Sequence, residues 1–307
     1  MYRIVDVIIP AYNSAQFIKR AVKSALTQGE IVNSIVVVND GSTDNTLKVL
    51  ERISRNEDKV KIVEKVNGGL SAARNTGILN ASSKYLAFLD ADDRWLPGKL
   101  AKQLAILEKD ANIGVVYSDY QLVDPIGNLI VDKHRLDPRI KGRIYPQILE
   151  GNKIMGSGSS VVVRSEVFAK IGKFDEILPT CEDWDMWIRI AKKYHYDYVN
   201  EKLVEIMNIP NSLSKNSDKM TLGMCMLYDK HKKMLSSRPA MKYLYSILIP
   251  TLITSNNKLL LYKRIGKKIS PKTHRIIFSF NISLLTSLMS NILHLVVTRI
   301  KGVAYDN

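Results

Sequence analysis

Apolar runs alternate with amphipathic stretches along the first 120 residues of the chain. Short runs rich in branched apolar residues predict buried strands, which cover Ile4–Ile9, Ile35–Val38, Val60–Val63, Tyr85–Leu89 and Val115–Tyr117. Apolar residues three and four positions apart predict intervening helices, which cover Ala15–Leu26, a segment ending near Ile53, Leu70–Leu79 and a segment after Pro97. Because strands that alternate with helices favour right-handed βαβ units, we predict an α/β fold with a mostly parallel central sheet flanked by helices.

The pattern is less regular between residues 120 and 206. Residues 121–145 are typical of a loop or hairpin, and Val161–Val163 of a further strand. A helix is predicted over Glu182–Ala191, because its two tryptophans share one face with other apolar residues. This segment therefore extends the α/β region to about residue 206.

The last third of the chain differs in charge from the rest. Residues 207–307 contain 16 Lys/Arg and 3 Asp/Glu, whereas residues 1–206 contain 29 and 27. A strongly basic region suggests an anionic partner, either nucleic acid or a membrane surface. We therefore predict two domains, 1–206 and a basic helical region, 207–307, that associates with membrane.

Residues 278–297 lack Lys, Arg, Asp and Glu over twenty positions, which is the length of a membrane span. Eight of the twenty are polar, however, and the apolar residues form one stripe. This pattern favours a helix that packs on the protein or lies on a membrane surface over one that crosses it.

Cysteine content and the N-terminus exclude several classes. Two cysteines, Cys181 and Cys225, are too few for a disulfide framework or a cysteine-rich zinc site, which fits a reducing cytoplasm. The first apolar run is short and is interrupted by Asp6, unlike a signal peptide. Pro10–Asn13 replaces the glycine-rich turn that a nicotinamide or flavin enzyme would carry after its first strand.

Three carboxylates in Asp90-Ala91-Asp92-Asp93 follow the predicted strand Tyr85–Leu89. In open α/β sheets the ligand crevice lies beyond the carboxyl ends of the strands. Closely spaced carboxylates repel each other and need a cation, a proton or hydrogen-bond donors. A divalent metal carrying phosphate oxygens would meet that need, and a solvated turn before a helix is the alternative.

An aromatic residue, Tyr12, follows the first predicted strand, and an acidic residue, Asp40, follows the second. Tyr12 could offer a ring face to a base or simply pack at the strand end. Asp40 could accept hydrogen bonds from a ligand hydroxyl or base N–H, or belong to a turn.

Two helix starts also carry candidate chemistry. Gly68-Gly69 precedes a helix that carries Arg74 near its first turn, an arrangement suited to an anion or to a salt bridge with a nearby aspartate. Glu182-Asp183 opens the predicted helix that contains two tryptophans. A carboxylate at this position is either simply stabilised by the helix dipole or acts as a general base.

Taken in order, five stretches closely resemble family 2 glycosyltransferases with the GT-A fold. The resemblance covers roughly residues 4–206 and rests on Val7–Asn13, Val38–Asp44, Gly69–Gly77, Phe88–Asp93 and Glu182–Trp187. Each motif alone is weak, but five in register are specific. The resemblance implies an inverting, metal-dependent transferase that uses a nucleotide-diphosphate sugar, with a UDP-sugar favoured.

Donor residues carry over position by position from the resemblance. Pro10, Ala11 and Tyr12 match positions that contact the base, and Asp40 matches the carboxylate that reads it. Arg74 matches a residue near the base and diphosphate.

The remaining roles concern the ribose, the metal and the acceptor. Asp90 corresponds to the carboxylate facing the ribose, and Asp92 to the one that holds Mg²⁺ or Mn²⁺. Asp183 corresponds to the catalytic base, with Glu182 beside it. The acceptor side is expected to include Gly156, Ser157 and Trp184.

These expectations describe an enzyme at the cytoplasmic face of the cell membrane that transfers hexose or N-acetylhexosamine in surface-polysaccharide synthesis. Its partners would be the nucleotide-sugar, a glycan or lipid-linked acceptor and an anionic membrane surface, without nucleic acid. One alternative is a sugar-phosphate nucleotidyltransferase, which would open on a glycine-rich basic loop that Pro10–Asn13 does not provide. The other is a non-catalytic basic protein that binds membrane or nucleic acid.

Overall fold

The computed structural model describes residues 3–131, 140–154, 156, 158–209, 216–254 and 258–278. The chain divides into two compact units, Met1–Lys215 and Asn216–Asn307. The first unit contains the sheet, and the second unit is helical within its described residues.

Within its described residues, the first unit contains one sheet of nine strands. Their bounds are β1 Val5–Ala11, β2 Val32–Asp40, β3 Val60–Lys65, β4 Tyr85–Phe88, β5 Arg94–Trp95, β6 Ile113–Val123, β7 Leu129–Val131, β8 Val161–Arg164 and β9 His195–Met207. The order across the sheet is β3-β2-β1-β4-β8-β6-β9-β5, and β7 pairs with β6. Strands β1 to β4 are mutually parallel, whereas β8 runs antiparallel to both of its neighbours.

Seven α-helices connect these strands in the part of the first unit that the structure describes. They are α1 Ile18–Leu26, α2 Thr46–Ser54, α3 Leu70–Leu79, α4 Lys99–Leu107, α5 Tyr145–Ile148, α6 Ser165–Ile171 and α7 Glu182–Ala191. The predicted α/β fold is confirmed, with a sheet that is parallel in its first half and mixed in its second. Helices α3 and α7 have the bounds predicted from their periodicity.

Strand β1 continues through Pro10 to Ala11, two residues beyond its predicted end. It pairs with β4 only as far as Ile8 and with β2 along its whole length. Beyond Ile8 the strand is therefore paired on one side only, a position that tolerates proline.

Asp6 is an acidic residue inside the buried strand β1, and its hydrogen bonds explain how it fits there. Its carboxylate accepts hydrogen bonds from Ser34 Oγ at 2.7 Å, Asn33 Nδ2 at 2.9 Å and the backbone N–H groups of Ser82 and Ser83 at 2.7 and 2.8 Å. Burial alone would raise the pKa of Asp6, but these four donors hold it below its ordinary value. The carboxylate ties β2 and the segment before β4 to β1.

The described part of the second unit contains four α-helices, which are α8 Ser217–Lys230, α9 Arg238–Thr254, α10 Lys258–Lys268 and α11 Pro271–Phe278. Asp229 at the end of α8 accepts hydrogen bonds from Ser270 Oγ at 2.7 Å, Thr273 Oγ1 at 2.6 Å and Lys232 Nζ at 3.0 Å. Although burial opposes ionisation, these donors lower the pKa of Asp229 to about 2. The carboxylate therefore joins α8 to the start of α11.

Among the residues that the structure describes, no helix has the length and apolar character needed to cross a membrane. The amphipathic stretch predicted over 278–297 lies, except for Phe278, outside those residues.

Candidate active site

The predicted donor-side residues lie around the carboxyl ends of three neighbouring strands, β2, β1 and β4. Ala11 at the end of β1 is in register with Asn39, next to Asp40 at the end of β2. Tyr12 follows directly and is 52 % exposed, which is unusual for a large aromatic side chain at the end of a buried strand. Its ring is therefore accessible to a ligand.

Asn13, which sequence reasoning gave no role, fixes the direction of the chain after Tyr12. Its φ of 49° places it in the left-handed region, which asparagine tolerates better than most residues. Its Oδ1 accepts hydrogen bonds from the backbone N–H groups of Thr43 at 2.8 Å and Asp44 at 3.3 Å, and its own N–H donates to Ser42 Oγ at 3.0 Å. These hydrogen bonds hold the loops after β1 and β2 together. In the sequence, an Asn just after a predicted strand is the feature that could have indicated this role.

Asp40 is 3 % exposed and its carboxylate is already surrounded by donors. Oδ1 accepts from Lys65 Nζ at 2.7 Å and from the N–H of Gly68 at 2.9 Å, and Oδ2 accepts from the N–H of Gly69 at 2.8 Å. The two glycine amides expected to bind an external anion therefore bind Asp40. The carboxylate holds the start of α3 against the end of β2.

Arg74 is completely buried and joins two parts of the site. Its NH2 donates to Asp90 Oδ1 at 2.8 Å, and its NH1 donates to Glu182 Oε1 at 2.7 Å. The guanidinium also lies 5.4 Å from the centre of the Phe174 ring. Of the two readings of Arg74, the structure shows the salt bridge, and its second partner lies 108 residues away in sequence.

Gly158 leaves room for this guanidinium. A Cβ atom at position 158 would lie 3.1 Å from Arg74 NH2 and 3.4 Å from its Cζ, closer than side chains usually approach. The backbone of the 158–160 segment therefore closes one side of the buried cation.

Asp92 differs from Asp90, whose carboxylate is paired with Arg74. Arg20 donates to the backbone oxygen of Asp92 at 2.8 Å, and among the described residues no Lys or Arg forms an ion pair with the Asp92 carboxylate. Burial, together with the charge of Asp90, raises the pKa of Asp92 to about 6.

Asp93, whose role the sequence left open, is a buried structural acceptor. Ser159 Oγ donates to its Oδ2 at 2.5 Å and the N–H of Met207 to its Oδ1 at 3.2 Å. The same Ser159 Oγ accepts the backbone N–H of Asp90 at 3.0 Å, and the indole N–H of Trp95 donates to Ser159 O at 2.8 Å. Ser159 therefore links the acidic loop to the 158–160 segment, a connection between distant residues that the sequence did not reveal.

Asp183 lies at the start of α7, beside the Arg74 cluster. Its Oδ1 accepts the N–H of Trp184 at 2.6 Å, and Asn152 Nδ2 lies 3.4 Å from its Oδ2. Burial and the neighbouring Glu182 charge raise the pKa of Asp183 to about 6, although Arg74 opposes that rise. Cys181, with a left-handed φ of 63°, precedes the pair and turns the chain into α7.

The predicted acceptor-side residues fall into different environments. Gly156 has φ of 83°, and a Cβ there would meet the side chain of Ser160 at 2.9 Å, so the position requires glycine. Trp184 is 2 % exposed and its indole N–H donates to Ile148 O at 2.7 Å, so it packs in the interior beneath Asp183. Ser157 lies outside the described residues.

The acidic loop fits a divalent cation that brings further ligands with it. Within the described residues, no three His, Cys, Asp or Glu side chains converge to hold a metal by themselves. Mg²⁺ and Mn²⁺ prefer oxygen ligands, and Mg²⁺ is commonly bound by one or two carboxylates together with substrate phosphates. Asp92 provides one such carboxylate, whose pKa is raised to about 6 by burial and by the charge of Asp90, although Arg20 opposes that rise.

Several known proteins are similar to about two thirds of this chain. An uncharacterised glycosyltransferase of Rickettsia conorii is 34 % identical over 212 residues, which are 64 % of this chain and 33 % of the relative. Chondroitin synthase of Pasteurella multocida is 29 % identical over 216 residues, 70 % of this chain and 22 % of that enzyme. Both matches therefore cover a third or less of the relative's length.

A relative of comparable length also matches. The putative teichuronic acid biosynthesis glycosyltransferase TuaG of Bacillus subtilis is 31 % identical over 215 residues, 69 % of this chain and 82 % of TuaG.

Solved structures share the fold at low sequence identity. Residues 1–349 of Staphylococcus aureus TarS, in complex with UDP-GlcNAc, are 17 % identical with a TM-score of 0.59, covering 94 % of this chain and 80 % of that one. The mannosyltransferase PcManGT of Pyrobaculum calidifontis, in complex with GDP-Man and Mn²⁺, is 17 % identical with a TM-score of 0.60, covering 100 % of this chain and 82 % of that one. These likenesses confirm the GT-A fold of the first unit.

The sequence profile of glycosyl transferase family 2 matches residues 6–172, which contain β1 to β4, the acidic loop and Arg74. Since the matched residues make up more than half of the 307-residue chain, the protein belongs to glycosyl transferase family 2.

Proposed function

We propose that this protein is an inverting glycosyltransferase that moves a sugar from a nucleotide-diphosphate donor to an acceptor hydroxyl. The observation that carries the proposal is the buried Arg74, which holds Asp90 on the donor side and Glu182 beside the candidate base. A single cation thus fixes the spacing of the two halves of a reaction centre. Positioning of this kind is a large part of what transferases contribute to rate.

The donor base would be held between the loops after β1 and β2. Pro10 and Ala11 line the end of β1, and the exposed Tyr12 offers a ring face for stacking. Asp40, fixed by Lys65 and the two glycine amides, would present its remaining acceptor capacity to a base N–H. The neighbouring structures TarS and PcManGT were solved with UDP-GlcNAc and GDP-Man, and we favour a UDP-sugar for this chain.

Asp92 would hold Mg²⁺ or Mn²⁺ together with the donor diphosphate, and Asp90 would face the ribose. The cation, when bound, neutralises the charge that develops on the departing nucleotide diphosphate. PcManGT, which shares this fold, binds Mn²⁺.

Asp183 would act as general base toward the acceptor hydroxyl. With a pKa of about 6, its carboxylate is largely ionised at neutral pH and is more basic than an ordinary aspartate. It takes the hydroxyl proton as the acceptor oxygen bonds to the anomeric carbon and the bond to the diphosphate breaks. One displacement from the opposite face inverts the configuration and needs no covalent intermediate on the protein.

The acceptor is proposed to be a growing surface polysaccharide, free or lipid-linked, and the transferred sugar a hexose or N-acetylhexosamine. This choice follows the relatives, which include a chondroitin synthase, a hyaluronan synthase and a putative teichuronic acid transferase. The acceptor would approach over Gly156 and the 158–160 segment, which lies against Arg74.

A thermal-shift screen tests the donor half of the proposal. The full-length protein is heated with UDP-, GDP- and dTDP-sugars, each with and without Mn²⁺, and a metal-dependent rise in melting temperature is expected for one nucleotide class. Asp92→Asn should remove the metal dependence and the slow metal-dependent hydrolysis of that donor. The matched control is Asp58→Asn at an exposed position, which should behave as the parent protein.

Two outcomes would contradict the proposal. One is the absence of any nucleotide-sugar that stabilises the protein with metal. The other is release of pyrophosphate from a nucleoside triphosphate and a sugar phosphate, which would identify a nucleotidyltransferase.

A further inference from the structure

Helices α10 and α11 of the second unit each bury one face and expose the other. The buried side contains Leu261, Ile265, Ile269, Thr273 and Ile277. The exposed side carries six cationic side chains, called here the basic face, which are Lys263, Arg264, Lys267, Lys268, Lys272 and Arg275. Packing therefore fixes which side of these helices faces outward.

The charge of the basic face is not neutralised locally. No Asp or Glu occurs between residues 258 and 278, and among the described residues no carboxylate forms an ion pair with any of the six cations. Like charges at this density repel one another, which costs stability unless an anionic partner is present. An exposed charged face is common in itself, so a second feature is needed to identify the partner.

That second feature is an aromatic cluster beside the basic face. Tyr262, His274 and Phe278 stack against one another with ring centres 4.7 to 4.8 Å apart, and Tyr262 is 41 % exposed. Together with Gly266, Pro271 and Arg275 they line an open groove of about 550 Å³. A Cβ at Gly266 would lie 3.4 Å from the His274 ring, so this glycine lets the ring approach α10 closely.

We propose that the basic face and its aromatic groove form a docking surface for an anionic lipid bilayer. Lysine and arginine near such a surface are each attracted by about 1 kcal/mol, and tyrosine rings favour the headgroup level. Tyr262 packs edge against face with both His274 and Phe278, whose own rings are tilted by 33° to each other, so these rings occupy one another's faces rather than leaving them free for nucleic-acid bases. A bilayer is the anionic partner that uses both the charges and the groove.

This docking surface does not depend on the transferase reaction, because none of its residues belongs to the proposed active site. Its test uses the full-length chain and co-sedimentation with vesicles of phosphatidylcholine alone or with phosphatidylglycerol added. Binding is expected only to the anionic vesicles, and it should weaken severalfold when salt is raised from 50 to 300 mM, roughly as screening predicts.

Two charge-reversal variants locate the surface. Lys263→Glu/Lys267→Glu reverses an i,i+4 pair on α10 and should weaken vesicle binding on the order of 100-fold. Lys48→Glu/Arg52→Glu reverses an exposed i,i+4 pair on α2 with the same change in net charge, and it should bind within about threefold of the parent. Tyr262→Ala should weaken binding severalfold without changing net charge.

Each remaining outcome overturns the proposal. Equal losses in both charge-reversal variants would mean that net charge, rather than this face, attracts the vesicles, and equal retention would exclude the face. Release from vesicles by millimolar inorganic phosphate would identify a soluble anion as the ligand, and binding to an RNA oligomer without vesicle binding would identify nucleic acid. A separate control uses no vesicles. Metal-dependent donor hydrolysis should then be unchanged in Lys263→Glu/Lys267→Glu, so a failure of the docking surface can be distinguished from a failure of the transferase proposal.

Discussion

Asp40 and Asp183 are both acidic residues at the rim of the same unit, yet their surroundings are opposite. The carboxylate of Asp40 accepts three hydrogen bonds, one of them from the cation Lys65. Burial, together with the charge of the neighbouring Glu182, raises the pKa of Asp183 to about 6. The hydrogen bonds to Asp40 hold the fold together. The raised pKa of Asp183 instead makes its carboxylate a better proton acceptor. Asp92, with its own raised pKa, resembles Asp183 in this respect.

The largest effect is expected from removing the candidate base. Asp183→Asn keeps the side-chain shape but cannot accept the acceptor proton, so transfer should fall about 1000-fold, as is typical for a lost general base. Donor binding, measured by thermal shift, should persist. Glu166→Gln, at an exposed first-turn position of α6, is the matched control and should transfer normally. Near-parental transfer by Asp183→Asn would exclude its role as base.

Removing the buried cation should damage stability more than any surface change. Arg74→Met leaves Asp90 and Glu182 without their shared partner, and such losses cost about 3–5 kcal/mol of unfolding free energy. Arg3→Met removes an exposed pair with Glu30 and should cost less than about 0.5 kcal/mol. Urea denaturation of both variants measures the difference. Equal costs would show that Arg74 is not the centre of the cluster.

Replacing Asp40, whose carboxylate accepts three hydrogen bonds, should have an intermediate effect on stability. Asp40→Asn places an amide N–H₂ among donors, so one of the glycine N–H groups or Lys65 loses its acceptor. A stability loss of about 1–3 kcal/mol is expected, together with weaker binding of the nucleotide. Thermal melting with and without nucleotide separates the two contributions. A stability equal to that of the parent would mean that Asp40 does not organise the start of α3.

The pH dependence gives the smallest and most specific test. Because Asp183 must be ionised to act as base, transfer should fall as pH drops below its pKa of about 6, roughly tenfold per unit. The residual transfer of Asp183→Asn, measured with saturating Mn²⁺ so that Asp92 stays ionised, should lose this acid limb, which serves as the control. An acid limb centred near pH 4 would mean that neither burial nor Glu182 perturbs the base.

Local pattern predicted some elements well because their periodicity is self-contained. Helices α3 and α7 were predicted with their observed bounds, and the apolar strands β1 to β4 were found within a few residues. Strand β9, His195–Met207, was missed because its polar middle, including Glu201 and Lys202, hides the alternation. It is stabilised instead by pairing along β6, a contact between distant parts of the chain.

In the candidate site, too, local pattern predicted the position of residues but not their contacts with distant parts of the chain. Motifs placed the aspartates and Arg74 at the correct strand and helix ends, but not their partners. The pairing of Arg74 with Glu182 joins residues 108 positions apart, and that of Asp93 with Ser159 joins residues 66 apart. No pattern of spacing encodes such contacts, since they depend on how β8 and α7 are placed against β4.

The hydroxyl of Ser159 touches both the Asp90 backbone and the Asp93 carboxylate. One oxygen atom thereby couples the acidic loop to the 158–160 segment, so that neither can shift without the other. If these two parts bind the donor and the acceptor as proposed, acceptor preference cannot be changed independently of donor binding. A segment grafted from a relative to change the acceptor must keep a hydroxyl at position 159, or the grip on the donor will change with it.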